Sequence, residues 1–286
     1  MITNIGYGSL IITFVLSLYG IVAAIYGERK NLYRFVESAR VAMLLTFPML
    51  TLVALSIITL LVTQHYEVQY VYNTTSQSMP IYLKITALWG GQSGSLVFWA
   101  WLMSAFASAV SIRKWSRDRD LLPWVIVVSL VALAFFPPMI IFFENPFQRF
   151  WASPGSREIV AMFQPAGTQL LIPNDGRGLN PLLRHPGMVI HPPMLYLGFV
   201  SFVIPFAFGI AALITGRKDD RWIRLTRRWT LVAWMFLSIG LILGSRWAYD
   251  VLGWGGYWAW DPVENAALMP WLTGTAFLHS VMIQEK

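Results

Sequence analysis

Six aromatic side chains, Trp247, Tyr249, Trp254, Tyr257, Trp258 and Trp260, fall within 14 residues and are interleaved with Gly253, Gly255 and Gly256. Trp and Tyr favour the headgroup level of a bilayer, which accounts for a few such rings. It does not account for the glycines, which let a backbone bend sharply and let a ligand approach closely. Flat, rigid rings on a bent loop suit a large planar ligand, so this segment is the first candidate site. Its end also has a structural duty. Asp261-Pro-Val-Glu264 reads as an N-cap, a proline at the first helical position and an acidic residue at the third. Starting a helix outweighs catalysis as the role of both carboxylates, although a helix N-terminus also attracts anions.

The chain has four histidines, His65, His185, His191 and His279, and no cysteine. Disulfides, thiolate metal sites and cysteine nucleophiles are therefore excluded, and any thiol chemistry belongs to a partner. His279 lies 15 residues into the last apolar run, roughly 22 Å along a helix. Ionisable residues inside a membrane are costly and usually functional. Gly274, Thr275 and Ala276, about one turn earlier, leave room for a flat macrocycle or a neighbouring helix. A neutral imidazole ligates haem iron and equally serves as a hydrogen-bond partner between helices; spacing alone does not separate the two. Pro270 is expected to kink this run. His191 stands in Gly187-Met-Val-Ile-His-Pro-Pro-Met-Leu-Tyr196, where Pro192 and Pro193 can begin a span and leave His191 at its mouth. It reads either as a ligand or as an incidental residue of an interfacial helix start. His185 and His65 read as surface residues. Trp89-Gly-Gly-Gln-Ser-Gly-Ser95 is another Trp/Gly entry into a span that could wall the same cavity.

These side chains must be positioned by membrane helices. The 286 residues are 56% hydrophobic and 12% charged, with a mean hydropathy of +0.56. A soluble domain is about 25% charged, and an apolar run of about 20 residues spans the hydrocarbon core. The chain reads as one polytopic domain over 1–286, an all-α integral membrane protein with seven spans: 7–26, 41–62, 96–112, 124–143, 194–214, 230–247 and 264–283. The first has no basic leader and no small-residue cleavage site, so it is expected to be retained. The aromatic loop occupies 247–265. The pI of about 9.8 does not signal nucleic acid, because the basic residues sit in short clusters between apolar runs and form no stripe. Fifteen of the 21 basic residues lie in 27–40, 113–123, 215–229 and at Lys286. That side is expected to be the cytoplasm, with the N-terminus outside and the C-terminus inside. Segments 63–95, 144–193 and 248–263 then face outward, and they hold or adjoin every candidate residue except His279.

Together these segments resemble the CcmF family of cytochrome c maturation proteins, haem lyase components of the wider haem-handling WWD-domain group. Trp254-Gly-Gly-Tyr-Trp-Ala-Trp-Asp-Pro-Val-Glu-Asn265 resembles that family's WWD motif. Leu179-Asn-Pro-Leu-Leu-Arg-His-Pro-Gly-Met-Val-Ile-His-Pro-Pro-Met-Leu-Tyr196 resembles its outer histidine segment. Ala87–Ser95 and the run Met269–Lys286 also fit, so the resemblance covers essentially the whole chain.

The resemblance implies a haem-binding subunit of the inner membrane of bacteria, working on its outer, periplasmic face. Substrate haem, delivered by a haem chaperone, would be presented for thioether attachment of its vinyl groups to the CxxCH thiols of apocytochrome c, kept reduced by thiol-reducing maturation proteins. His191 matches the family's first outer axial ligand. His279 matches the first ligand of a resident transmembrane haem b, which keeps the incoming iron reduced. Trp254, Gly255, Gly256, Tyr257, Trp258, Trp260 and Asp261 would border the ring, with Trp89 beside them. Arg246 or Arg184 would pair with propionates, a role read from charge and position. There are three departures. Tyr257 replaces a family Trp and Ala259 a frequent Phe. Gln92 stands where relatives often have His. Family members are also about twice as long, and the second axial histidine for each haem lies in the half not present here, so this chain is expected to be a split or truncated form and an incomplete lyase. Two rival readings are a transporter of haem or another hydrophobic substrate, which would show broken helices at the midplane and inverted repeats, and a non-catalytic scaffold of the maturation complex.

Overall fold

A computed structural model describes residues 1–153, 155, 157–253 and 255–284. Its helices are α1 (Ile2–Arg29), α2 (Tyr33–Val62), α3 (Gln69–Thr74), α4 (Ile81–Gly90), α5 (Gln92–Ile112), α6 (Leu122–Ala134), α7 (Phe136–Phe142), α8 (Pro186–Ser201), α9 (Val203–Ile214), α10 (Arg221–Val251) and α11 (Pro262–Gln284). Among the described residues, seven helical stretches are long and apolar enough to cross a membrane, the pairs α6–α7 and α8–α9 each acting as one. This is the seven-span α-helical architecture expected from the apolar runs. One segment departs from it. Between α7 and α8, strands β1 (Arg149–Ser153), β2 (Arg157–Ala161) and β3 (Gln169–Leu170) form an antiparallel sheet in the order β2-β1-β3. Strand β1 buries the adjacent Phe150 and Trp151, and the Trp151 indole donates to the Ala161 carbonyl at 3.0 Å across the pair.

The chain divides into two compact units. The first comprises Met1–Phe14, Pro48–Trp101 and Phe135–Arg184; the second comprises Val15–Phe47, Leu102–Ala134 and His185–Lys286. In the first, Tyr70 is buried and donates to the Ala87 carbonyl at 2.6 Å. Burial pushes its phenol up, so it remains a neutral donor. A Cβ on Gly94 would lie 2.1 Å from the Leu88 carbonyl and 2.2 Å from the Tyr70 hydroxyl. Two of the glycines after Trp89, Gly91 and Gly94, are thus accounted for by the close approach of a tyrosine.

In the second unit, α8 and α10 make the tightest seam. A Cβ on Gly198 would fall 2.2 Å from the Leu237 backbone nitrogen, and one on Gly240 would fall 2.6 Å from the Leu195 Cα. Small residues let helix backbones approach closely in this way where lipid supplies no hydrophobic drive. Asp118, 1% exposed at its side chain, ties the linker before α6 to the start of α10 through Arg113 at 2.8 Å, Arg217 at 3.3 Å and Arg221 at 2.8 Å. A carboxylate so deeply buried stands only because several guanidinium groups surround it.

Several helices extend beyond the expected spans, and two of those boundaries matter to the site. Helix α8 starts at Pro186, not after Pro193. His185 is its N-cap, accepting from the Gly187 amide at 3.1 Å, and both later prolines lie inside the helix. The two missing N–H groups weaken the ladder, but the first turn is held from outside, because the Trp247 side chain packs against Gly187. His191 therefore belongs to a helix wall and does not stand at a mouth. Helix α10 runs to Val251, beyond the expected end at Trp247. Trp247 is thus helical, and the loop proper shrinks to the stretch between Val251 and Pro262.

Candidate functional site

In the second unit a cleft of about 240 Å³ opens between α8, α10 and the start of α11. Its lining includes His191, Gly244, Trp247, Trp258, Asp261 and Glu264. The imidazole of His191 is held on three sides. Its Nδ1 lies 2.8 Å from the Gly240 carbonyl. A carbonyl only accepts, so Nδ1 carries the proton and the neutral ring keeps its lone pair on Nε2. The ring also lies against Gly244, where a Cβ would come within 2.5 Å of His191 Cε1. Its face stacks on Trp247, with centroids 6.2 Å apart and planes at 16°. Gly240 and Gly244 were not singled out from the sequence. Their Gly-x-x-x-Gly spacing in an apolar run was the signal that could have found them.

The loop supplies the opposite wall. Gly253 and Gly255 have φ values of +71° and +72°, a region that other residues enter only at a cost. The bend read from the glycines is therefore present. Trp254 lies outside the described residues. Tyr257 stacks on Tyr249 at 4.5 Å and 7°, so these rings satisfy each other. Trp258 meets Trp260 edge to face at 5.8 Å. Trp258 lines the cleft and Trp260 is 68% exposed. The indole N–H groups of Trp247 and Trp258 are buried without a hydrogen-bond partner. Such groups carry a desolvation cost that a ligand acceptor would relieve.

The helix-start reading of Asp261 and Glu264 holds, with an extension. Asp261 accepts from the Glu264 amide at 2.7 Å. The Glu264 carboxylate reaches back past the cap to the amides of Ala259 at 2.7 Å and Trp260 at 2.8 Å. Asn265 donates to the Trp260 carbonyl at 3.0 Å. These bonds hold Trp260 at φ +58°, which is uncommon for a bulky residue. The cap therefore also aims the end of the aromatic loop.

The remaining candidates lie elsewhere. Arg246 pairs with Asp250 at 2.8 Å, one turn along α10. Arg184 donates to the Leu179 carbonyl at 2.9 Å within the first unit. Trp89 also belongs to the first unit, where its ring packs on Phe98 at 5.4 Å. His279 is exposed on α11 and borders a separate groove of about 240 Å³ with Arg227, Leu231, Trp234, Thr275 and Met282. Helices α10 and α11 are stapled beside it. Trp234 donates to Thr275 and Trp271 to Ser238, each at 2.7 Å, while the two indoles stack at 6.1 Å. No group of three or more His, Asp or Glu side chains able to hold a metal ion occurs among the described residues.

Comparison with known proteins identifies the family. The family model described as cytochrome C assembly protein matches residues 89–286. The cytochrome c-type biogenesis protein CcmF of Escherichia coli is 38% identical over the whole chain, which covers 41% of that protein. CcmF of Haemophilus influenzae is 36% identical with the same coverage. The solved structure of a cytochrome c heme lyase CcmF superposes with a TM-score of 0.82 at 30% identity, covering 100% of this chain and 43% of the other. The chain thus spans about two fifths of the length of the relatives it matches. It belongs to the cytochrome c assembly protein family, and its match fits an N-terminal half of CcmF.

Proposed function

We propose that this chain is the part of a cytochrome c haem lyase that holds substrate haem at the outer membrane face for attachment to apocytochrome c. The observation that carries the reading is the cleft at His191. An imidazole there has its tautomer set by Gly240 and its plane set by Trp247, and two indole donors without partners share its walls. A histidine fixed through its second nitrogen is how proteins orient a metal ligand. At about 240 Å³ the cleft is smaller than pockets that enclose drug-sized ligands. It would grip one edge of a porphyrin and leave the rest to the exposed Tyr257 and Trp260, with Gly255 and Gly256 allowing close approach.

In this reading His191 Nε2 ligates the substrate's iron, and Trp258, with Trp254 and Trp260, borders the ring. Asp261 shapes the loop by starting α11. Arg246 remains a proposed contact of the same substrate and requires release from Asp250. The bond-forming step would add each of the two CxxCH thiols of apocytochrome c across a haem vinyl group: the sulfur bonds one vinyl carbon, a proton goes to the other, and the S–H bond and the C=C π bond are lost, with no net oxidation. This cysteine-free chain contributes orientation to that step and no thiol. A resident haem b would supply an electron that keeps the substrate iron ferrous. His279, exposed beside an apolar groove with Arg227 at its edge, has the donor and the surroundings to hold one. The working assembly would lie in the bacterial inner membrane with a haem chaperone, thiol-reducing maturation proteins and the remaining length of the lyase, which brings the second axial ligands.

The test is an absorption spectrum of the purified chain, alone and assembled with its co-encoded neighbours. A Soret band with a b-type reduced spectrum in the assembly, and loss of the second, substrate-derived signal in His191→Ala, is the expected result. An assembly without haem would instead favour a scaffold or a transporter.

A further inference from the structure

Exposed apolar side chains on the spans are explained by the lipid that covers them. On α1, Val15 and Val22 are exposed while Thr13 and Ser17 are buried, as hydrocarbon demands. Helix α4 shows the same inversion without being a span. Its Ile81 and Tyr82 are 63% and 57% exposed, and Ile85 is exposed beside them, whereas Lys84, its one charged residue, is 6% exposed. A helix that faces water does the opposite, with apolar residues toward the core and charge outward. The buried Lys84 is not stranded. The Asp175 carboxyl, held below the ordinary carboxylate range chiefly by the Gln77 amide, also feels the Lys84 charge.

Positions 81, 85 and 89 lie one turn apart, so Ile81, Ile85 and the half-buried Trp89 share a face, with Tyr82 at its edge. That face carries no charge. At 10 residues, α4 is about 15 Å long and cannot cross a hydrocarbon core of about 30 Å. Its end cannot leave the membrane surface either, because Gly91 alone separates it from α5, a span that starts at Gln92. Gly91 is extended, with φ −130° and ψ 158°, so α5 does not continue the axis of α4. Another part of the same unit also reaches a span end. Phe163, exposed after β2, meets Tyr7 edge to face at 5.7 Å in the second turn of α1.

We infer that α4 is an in-plane interfacial helix whose uncharged face, Ile81, Tyr82 and Ile85 with Trp89 at its end, is sunk at the headgroup–acyl boundary of the leaflet where α5 begins. Tyr and Trp favour that level, and the apolar face of an in-plane helix sinks about 5–10 Å into it. The phospholipid surface is the occupant of this face, continuous with the lipid around α5. It fixes the height at which the sheet-bearing segment stands over the bilayer. Trp89 acquires a role there that needs no haem, so the inference stands apart from the proposed function. A protein segment laid over α4 is the competing cover.

The absence of cysteine lets single labels be placed cleanly. Ile81→Cys, Tyr82→Cys, Val15→Cys and Glu158→Cys are spin-labelled in the whole chain, in vesicles of phosphatidylcholine and phosphatidylglycerol, with and without the co-expressed remainder of the lyase. The ratio of oxygen to nickel-complex accessibility is expected to be highest at 15, within a span, and lowest at 158, on the exposed end of β2. At 81 and 82 it should lie between, several-fold above the value at 158. Bimane at 82 should be quenched more by a phospholipid with its nitroxide near the headgroup than by one with it near the chain end, and bimane at 15 the reverse. Labels at 81 and 82 as open to the nickel complex as that at 158 would overturn the inference. So would labels shielded from both reagents, the mark of a protein cover. Ile81→Asp, at an exposed position, should leave the melting temperature in detergent unchanged and raise nickel accessibility at 82 several-fold in vesicles. An unchanged depth at 82 in that variant would equally overturn it.

Discussion

His191 and His279 sit on helices packed against α10, yet they are held in opposite ways. His191 is wedged against Gly244, bonded to Gly240 and stacked on Trp247. Its orientation is decided entirely by residues of this chain. His279 projects from α11 beside an open groove. Trp234 and Trp271 brace the helices next to it, but what would orient the ring itself lies beyond them. One ring is preorganised by this chain's own residues and the other is not. The stretch of the family that this chain spans thus holds one histidine fixed on three sides and one exposed beside a groove.

That contrast can be broken at several points. The largest effect is expected from His191→Ala, which should lower substrate-haem affinity by more than about 100-fold, read as loss of the corresponding Soret signal with the chain still folded. Gly244→Ala comes next. The added methyl would meet the imidazole at 2.5 Å and should cost about 10–100-fold in affinity by disturbing a supported ligand. The same change at Gly8, where an added Cβ would meet nothing within 4 Å, should have no such effect. Trp247→Leu removes the stacked wall and should cost about 0.5–1.5 kcal/mol of binding, measured by haem titration. Glu264→Ala releases the amides of Ala259 and Trp260. It should destabilise the start of α11 by about 0.5–2 kcal/mol, visible as faster hydrogen exchange at those two amides. Smallest of all, His279→Ala in the chain alone should change thermal stability by less than about 0.5 kcal/mol. A larger change would mean that the groove is already a finished site and the contrast is wrong.

The parts of this molecule that are local in sequence were legible from it. Seven spans follow from apolar runs of membrane length, and the start of α11 follows from Asp261, Pro262 and Glu264 in consecutive register. The turns at Gly253 and Gly255 follow from glycines where the backbone goes left-handed. Misplaced features depended on contacts distant in the chain. Pro192 and Pro193 look like a helix start, yet Trp247 packing on Gly187 carries α8 past them. The close approach of Tyr70, on an earlier helix, to Gly91 and Gly94 is likewise not encoded in the Trp89–Ser95 stretch itself.

From its residues alone the chain is determined to be a membrane helix protein with a bent aromatic loop and few possible iron ligands. Composition and short-range spacing suffice for that, because lipid enforces helices and glycine enforces turns wherever they fall. Which aromatics face a cleft and which face each other was decided only in three dimensions. So was the nitrogen of His191 that carries its proton. Those outcomes depend on which surfaces meet across α8, α10 and α11, and no local pattern encodes a partner some fifty residues away.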